Sequence, residues 1–258
     1  MIITLFLMIF ILLDNIYSFS FQSNPDSIRK TEEKFPLAIS TQMLMVITEN
    51  WETSIGYLLR YQRDKLGEKW QLVGNSFLVN IGRTGLAWGI GLHGNVLGDG
   101  PIKHEGDGKA PAGVFRLTGV FGYASLDVVS WLHMPYVQVD TCVECIDDTG
   151  SQYYNTVIDD RNVLDKNWNS SEIMKRDDDL YKFGIFVEHN NMPRFSGGGS
   201  CIFIHIWKGE GEPTAGCTSI DEENLIEILK WLDINSYPII VQLPREKYIL
   251  LKDKWSLP

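Results

Sequence analysis

Signatures of nucleotide and nucleic-acid binding are missing from this chain of 258 residues. It has no G-x-x-x-x-G-K-[ST] loop and no G-x-G-x-x-G segment between a strand and a helix, although glycines crowd residues 82–100. Acidic residues outnumber basic ones by 33 to 23, and the basic residues form no block. An acidic chain without a basic patch is a poor partner for nucleic acid or for an anionic membrane surface, so we expect neither.

Long hydrophobic runs are also absent. The run at residues 2–13 is too short to span a bilayer but has the length of a signal-peptide core. Ser18-Phe19-Ser20 offers a small-x-small cleavage site, although no Lys or Arg precedes the run. The alternative is an uncleaved anchor or a buried segment. We predict a signal peptide over residues 1–20, a secreted or periplasmic location, and no stable membrane span after cleavage.

Cysteine is scarce, with four in the whole chain. Cys142 and Cys145 stand three residues apart, and in an exported protein a local disulfide between them is favoured over a redox motif, since no βαβ pattern surrounds them. A zinc site would need two further ligands of similar spacing. No H-E-x-x-H motif accompanies the histidines at 93, 104 and 133 either. We therefore expect no metal and no cofactor.

Short segments of alternating polarity indicate a protein built mainly of β-strands. Those with the clearest pattern are residues 43–47, 76–80, 184–188, 201–207 and 239–243. The first two belong to a predicted β-meander, the next two to a predicted hairpin, and the last is a closing strand. We predict a mainly β fold with α elements, a β-sandwich or barrel over residues 21–258. The polar, acidic stretch at about 140–182 is predicted to be an insertion that caps one end.

His205 lies in a segment of strict alternation. The isoleucines at 202, 204 and 206 point to one face, so His205 points to the opposite face together with Phe203 and Trp207. A loop rich in glycine, proline and charge follows, and then Cys217. A thiol beside an imidazole is an activated nucleophile when a third group orients the imidazole, and the sequence does not identify that third group.

Cys217 precedes a predicted helix. Ser219 to Glu222 matches an S-x-x-E capping box, and the expected buried stripe of the helix is Leu225, Ile228, Leu229 and Leu232. Because a helix N-terminus favours negative charge, we expect a lowered pKa and a thiolate at Cys217 near pH 7, alkylated faster than a buried, structural Cys201. The backbone N–H groups of Gly216 and Cys217 are expected to form an oxyanion hole.

Two segments resemble the L,D-transpeptidase catalytic domain, the YkuD-like family. Residues 202–217, IFIHIWKGEGEPTAGC, are similar to the family's strand His, variable loop and Ser/Thr-x-Gly-Cys, and residues 106–115, GDGKAPAGVF, are similar to its GDGxTPxGxF segment. The resemblance implies that Cys217 is the nucleophile and His205 the general base. The residues expected to position the substrate or its oxyanion are Thr214, Gly216 and Thr218.

Two departures from the family pattern affect substrate recognition. Many members carry a His between the Ser and the Gly and an Arg or Asn two residues after the Cys, where this chain has Ala215 and Ser219. An Arg can hold a carboxylate through two hydrogen bonds and a Ser cannot. Recognition of a stem-peptide carboxylate must therefore be arranged differently in this chain.

The resemblance implies an exported cysteine acyltransferase of the cell wall, connected with peptidoglycan biosynthesis and cell shape. Cys217 would attack a peptidoglycan stem peptide at the L-centre of its third residue, and an acceptor amine would resolve the thioacyl-enzyme into a cross-link. If water resolves it, the site is an L,D-carboxypeptidase or endopeptidase, and the sequence does not separate these outcomes. Further alternatives are a catalytically dead wall-binding protein and a merely structural Cys217. Papain-like peptidases place the Cys before the His, unlike this chain.

Overall fold

The computed structural model describes residues 37–94 and 99–258 of the chain. The predicted signal peptide at residues 1–20 lies outside these residues. Within them, none of the helices has the length and the apolar character needed to cross a membrane.

Strands dominate the described part of the chain. In order they are β1 (Gln42–Thr48), β2 (Ile55–Gln62), β3 (Gln71–Asn80), β4 (Leu86–Trp88), β5 (Ala110–Gly122), β6 (Tyr136–Gln138), β7 (Val143–Ile146), β8 (Val157–Asp159), β9 (Ser171–Ile173), β10 (Phe183–Val187), β11 (Phe203–Ile206), β12 (Thr218–Ile220) and β13 (Ile239–Pro244). The helices are α1 (Glu222–Trp231) and α2 (Arg245–Leu251), and short 3-10 turns occupy Asp160–Asn162 and Ile234–Ser236.

Eight strands close into a barrel, which confirms the predicted mainly β fold. Their order is β10-β11-β12-β3-β2-β1-β13-β5, and β5 pairs with β10 to complete the circle, while β4 and β6 flank β5. In the predicted meander, β2 pairs antiparallel with both β1 and β3. The strands of the predicted hairpin, β10 and β11, are antiparallel as well. Apolar side chains with no exposed surface form the hydrophobic core, among them Met43, Leu44, Leu58, Phe115 and Ile204. Closure pairs the edge strands that an open sheet would leave free.

Helix α1 buries the predicted stripe but begins differently from the prediction. Leu225, Ile228, Leu229 and Leu232 are all fully buried. Its N-cap is Asp221, whose carboxylate accepts hydrogen bonds from the N–H groups at 223 and 224. The predicted cap, Ser219, instead belongs to β12, because parallel pairing with β11 extends the strand to Ile220. The capping box was therefore wrong, and a strand separates Cys217 from the helix.

The polar stretch at 140–182 carries a separate three-stranded sheet in the order β8-β7-β9. A disulfide joins Cys145 of β7 to Cys201, directly before the barrel strand β11, and Cys142 is a free thiol. The predicted Cys142–Cys145 bridge is therefore wrong. Three extended residues span about 10 Å, beyond the roughly 7 Å limit between the Cα atoms of a disulfide.

Candidate active site

A cleft of about 560 Å³ opens where the barrel meets the three-stranded sheet. Residues 106–115 and 202–217 both contribute to its walls, the first through Gly106 and the second through His205, Gly216 and Cys217. The structure therefore brings the predicted nucleophile and the predicted base to one concave site.

Parallel pairing of β11 and β12 places the two side chains. Loop 207–217 returns the chain to the start of β12, so that Ile204 lies beside Thr218 and His205 beside Ser219. One step earlier in this register, the N–H of Phe203 donates to Cys217 Sγ over 3.3 Å. As predicted from the alternation, His205 lies on the face opposite the buried isoleucines, and this face carries Cys217 as well.

The carbonyl of Ile206 orients His205. It lies 2.7 Å from His205 Nδ1, and since a carbonyl only accepts hydrogen bonds, Nδ1 carries the hydrogen and Nε2 is left as the basic nitrogen. Burial lowers the pKa of His205 to about 4, against the opposing effect of this hydrogen bond. The imidazole is therefore neutral at neutral pH. The third group, which the sequence did not identify, is a backbone atom of the next residue.

Two other histidines, one buried and one partly buried, use both ring nitrogens for the fold. His189 accepts from the N–H of Ile90 at Nδ1 and contacts the carbonyl of Gly198 at Nε2, over 3.3 and 3.0 Å. His93 likewise accepts from the N–H of Val114 and contacts the carbonyl of Gly89. Neither histidine lines the cleft, so His205 is the imidazole there with an uncommitted nitrogen.

Cys217 is a protonated thiol in the resting structure. Its Sγ donates to the carbonyl of Cys201 over 3.4 Å, and burial raises its pKa to about 12, with a further increase from the charge of Glu172. The expected lowering of this pKa is wrong, because the helix begins beyond β12 and a helix dipole acts only within its first turn. Cys201, which was expected to be buried and structural, contacts the nucleophile through its carbonyl.

A buried tyrosine of the cleft was missed by sequence reasoning. The hydroxyl of Tyr181 donates to Glu172 of β9, and its ring meets the His205 ring edge-on with 5.0 Å between centroids. The Arg176 guanidinium lies 5.1 Å from the centre of the same ring and pairs with Asp178. Burial raises the pKa of both Glu172 and Tyr181. The aromatic and acidic composition of residues 140–182 hinted at a ligand, but no spacing rule connects these positions to Cys217.

The residues predicted to position the substrate separate into two groups. Thr214 Oγ1 donates to the carbonyl of Cys217 over 2.6 Å and accepts from the N–H of Gly216 over 3.1 Å, so it shapes the turn that carries the thiol. The Gly216 N–H is thus occupied, whereas the Cys217 N–H has no acceptor within residues 37–94 and 99–258. Thr218 points away from the cleft and donates to the buried Gln242 over 2.6 Å.

Residues 106–115 pack against the turn that carries Cys217. The Asp107 carboxylate accepts from Lys103 Nζ at 2.6 Å and from the N–H of Lys109 at 2.9 Å, which holds the glycine-rich turn. A Cβ on Gly216 would lie only 3.1 Å from the carbonyl oxygen of Lys109, so glycine permits this close approach. Gln242 also links the two segments, because its amide donates to the carbonyl of Pro111.

Charged side chains of both signs line the cleft, since Glu105, Asp147, Glu172 and Glu212 lie on its walls together with four basic residues. Arg83, Lys103, Arg176 and Lys208 all line it. Lys103 and Arg176 are paired with Asp107 and Asp178. Arg83 and Lys208 have no ion pair with any described residue. In the same part of the chain, no cluster of three or more His, Cys, Asp or Glu side chains could hold a metal ion.

Comparisons with known proteins give little beyond this geometry. No protein-family model matches the chain, and no curated protein does. Among solved structures, a variant of the helical cell shape determining protein Pgp2 from Campylobacter jejuni is similar at 15% identity and a TM-score of 0.34. The match covers 90% of this chain and 61% of that one, so the chain spans less than two thirds of its length. A similarity at this level carries no argument about function.

Proposed function

We propose that this chain is a cysteine acyl-transfer enzyme of the cell envelope that acts on peptidoglycan stem peptides through a thioacyl intermediate on Cys217. One observation carries the proposal: His205, whose Nδ1 is held by a carbonyl and whose Nε2 has no hydrogen-bond partner among the described residues, shares a cleft with Cys217, a thiol kept out of the disulfide. The resemblance of residues 106–115 and 202–217 to the L,D-transpeptidase domain supplies the substrate class.

The chemistry starts from a neutral thiol and a neutral imidazole. Substrate binding turns the thiol hydrogen from the Cys201 carbonyl towards His205 Nε2, which takes the proton as Sγ attacks the substrate carbonyl carbon. The N–H of Cys217 is available to the resulting oxyanion. His205 then returns the proton to the leaving amine, and the acyl group stays on Sγ until an acceptor amine or water removes it.

Two basic side chains of the cleft, among walls that carry both signs of charge, suit the carboxylate of a peptide. Stem peptides carry carboxylates, and a guanidinium or ammonium group without a competing acidic partner is the group that binds them best. Arg83 and Lys208 meet that description on the cleft walls. They provide the cationic contact that Ser219 cannot.

Mass spectrometry of muropeptides tests the proposal directly. Disaccharide tetrapeptides incubated with the protein should lose their terminal residue, with or without transfer to an acceptor amine. Cys217→Ala should reduce this turnover by more than about a thousandfold, because the nucleophile itself is removed. Cys142→Ala, which removes the other free thiol, is the matched control and should turn over at the wild-type rate.

Two results would contradict the proposal. One is a Cys217→Ala protein that unfolds at the wild-type temperature and keeps its turnover. The other is wild-type protein that binds the muropeptides without changing their mass, which would favour the alternative of a catalytically dead wall-binding protein.

A further inference from the structure

Ser219 is a buried hydroxyl in the cleft without a partner. The residue is 1% exposed and lines the cleft, and its Oγ has no hydrogen-bond partner among the described residues. The other buried side-chain atoms in this state, on Arg60 and Thr156, do not line the cleft. Buried hydroxyls are nearly always hydrogen-bonded to protein, water or ligand, so Ser219 Oγ has a donor and an acceptor to offer to a molecule in the cleft.

Unlike Ser219, three other hydroxyls of this region have hydrogen-bond partners within the protein. Thr214 bonds the Cys217 carbonyl, Thr218 bonds Gln242, and Ser200 donates to Glu105 over 2.6 Å. The hydroxyls near Ser219 are thus committed to the fold.

The register of the barrel places Ser219 beside the proposed base. Ser219 and His205 are direct partners across β11 and β12, and parallel neighbours lie about 4.8 Å apart. Alternation puts Ser219 on the same face as Cys217, two residues earlier, and all three side chains line one cleft. A small molecule held by Ser219 and the free Nε2 of His205 would therefore lie next to an acyl group on Cys217.

We propose that Ser219 Oγ and His205 Nε2 together bind the water that hydrolyses the thioacyl group on Cys217, so that this chain trims stem peptides as an L,D-carboxypeptidase in preference to cross-linking them. This inference rests on the proposed function above and decides between its two outcomes. Ser219 is a positioning residue for that water and is itself unchanged by the reaction.

The hydrolytic step balances with the groups present. The water oxygen attacks the thioester carbonyl carbon, and one water proton passes to His205 Nε2. The tetrahedral intermediate then breaks its C–S bond, His205 returns the proton to Cys217 Sγ, and the peptide leaves as a carboxylic acid. No oxidant, reductant or cofactor is needed.

Competition between water and an amine tests the inference. The protein is incubated with a disaccharide tetrapeptide and excess D-methionine in ¹⁸O-water, and mass spectrometry counts ¹⁸O-labelled tripeptide against D-methionine-terminated peptide. Wild type should give mainly labelled tripeptide. Ser219→Ala should lower the ratio of hydrolysis to transfer about tenfold and let acyl-Cys217 accumulate, since one hydrogen bond to the water is lost.

Two further variants separate this role from a structural one. Ser219→Thr keeps the hydroxyl and should restore the ratio to within about threefold of wild type. Ser200→Ala, which removes a cleft hydroxyl already committed to Glu105, should leave the ratio at the wild-type value. Ser219→Ala should also unfold at or above the wild-type temperature, because it leaves no group unpaired.

The contrary outcomes are distinguishable from failure of the proposed function. Acyl-Cys217 that forms in both proteins with ratios within twofold of each other overturns the role of Ser219 alone. D-methionine-terminated peptide as the main wild-type product overturns the preference for hydrolysis. Wild-type protein that forms neither acyl-Cys217 nor product overturns the proposed function and this inference with it.

Discussion

Cys142 and Cys217 are the two free thiols in the described chain, and they differ in burial. Cys142 is partly exposed before β7, whereas Cys217 is buried and has a pKa raised to about 12 by its burial. A raised thiol pKa keeps the sulfur protonated below that pH, so Cys217 is almost entirely a thiol at pH 7.

We predict that iodoacetamide at pH 7 labels Cys142 at least tenfold faster than Cys217. The Cys217 rate should rise as the pH is raised from 7 to 9, and Cys145 and Cys201 should stay unlabelled without a reductant. Peptide mapping over a time course measures this, and labelling in urea, where burial is lost, is the control. Faster labelling of Cys217 in the folded protein at pH 7 would contradict the account of a protonated resting thiol.

One misassigned cap explains several of the sequence-based errors at the residue scale. Both Ser219 and Asp221 can cap a helix, and the spacing to Glu222 favoured Ser219. Because residues 218–220 form a strand, Thr218 points away from the face that carries Cys217 and Ser219, and the helix dipole is out of reach of the thiol. The strand could not be recognised locally, since three residues paired in parallel to β11 show no period of their own.

The disulfide between β7 and the start of β11 joins the three-stranded sheet to the barrel. That sheet carries Glu172, the partner of Tyr181, over the cleft. Cross-linking two positions 56 residues apart restricts the unfolded chain, which corresponds to about 4 kcal/mol of stability in a chain-entropy treatment.

We predict that replacing Cys145 and Cys201 together by alanine lowers the free energy of unfolding by up to about 4 kcal/mol. It should also make residues 140–182 more sensitive to limited proteolysis than the barrel. Urea denaturation and mass mapping of the fragments measure the two effects. Cys142→Ala, which leaves the bridge intact, should show neither. An unchanged unfolding free energy in the double variant would show that packing alone holds the sheet.

Local patterns predicted the elements better than their connections. Alternation of polar and apolar residues located the meander, the hairpin and the closing strand, and a period of 3.6 residues located the buried stripe of α1. Each of these patterns can be recognised because it depends only on residues of one continuous segment. The disulfide and the contact of Tyr181 with His205 depend on which elements meet in space. The positions of Cys145, Cys201 and Tyr181 in the sequence do not indicate which elements are in contact.

At the scale of the whole molecule, buried neutral histidines connect stability to pH. His189 and His205 are 2% and 7% exposed, and burial lowers the pKa of each to about 4. The unfolded chain takes up these protons near pH 6.5. The contribution of these neutral side chains to the free energy of unfolding is therefore complete above pH 6.5. It is lost as the pH falls towards 4, because protons bind to the unfolded state first.

We predict that the free energy of unfolding falls by about 2 kcal/mol per buried histidine between pH 7 and pH 5. Urea denaturation at the two pH values measures the difference. His205→Gln, which cannot be protonated, should remove about a third of the pH dependence that comes from His93, His189 and His205, because the pKa of His93 is lowered to about 4 as well. A wild-type protein equally stable at pH 7 and pH 5 would contradict neutral burial of these side chains.

The position of β13 in the barrel has a consequence for how the chain is made. This strand lies between β1 and β5, so the first five strands have no complete circle to join until residues 239–244 have been synthesised. Contacts so distant in sequence form late and slowly. A nascent chain of this kind therefore cannot close its barrel before residues 239–244 have left the ribosome.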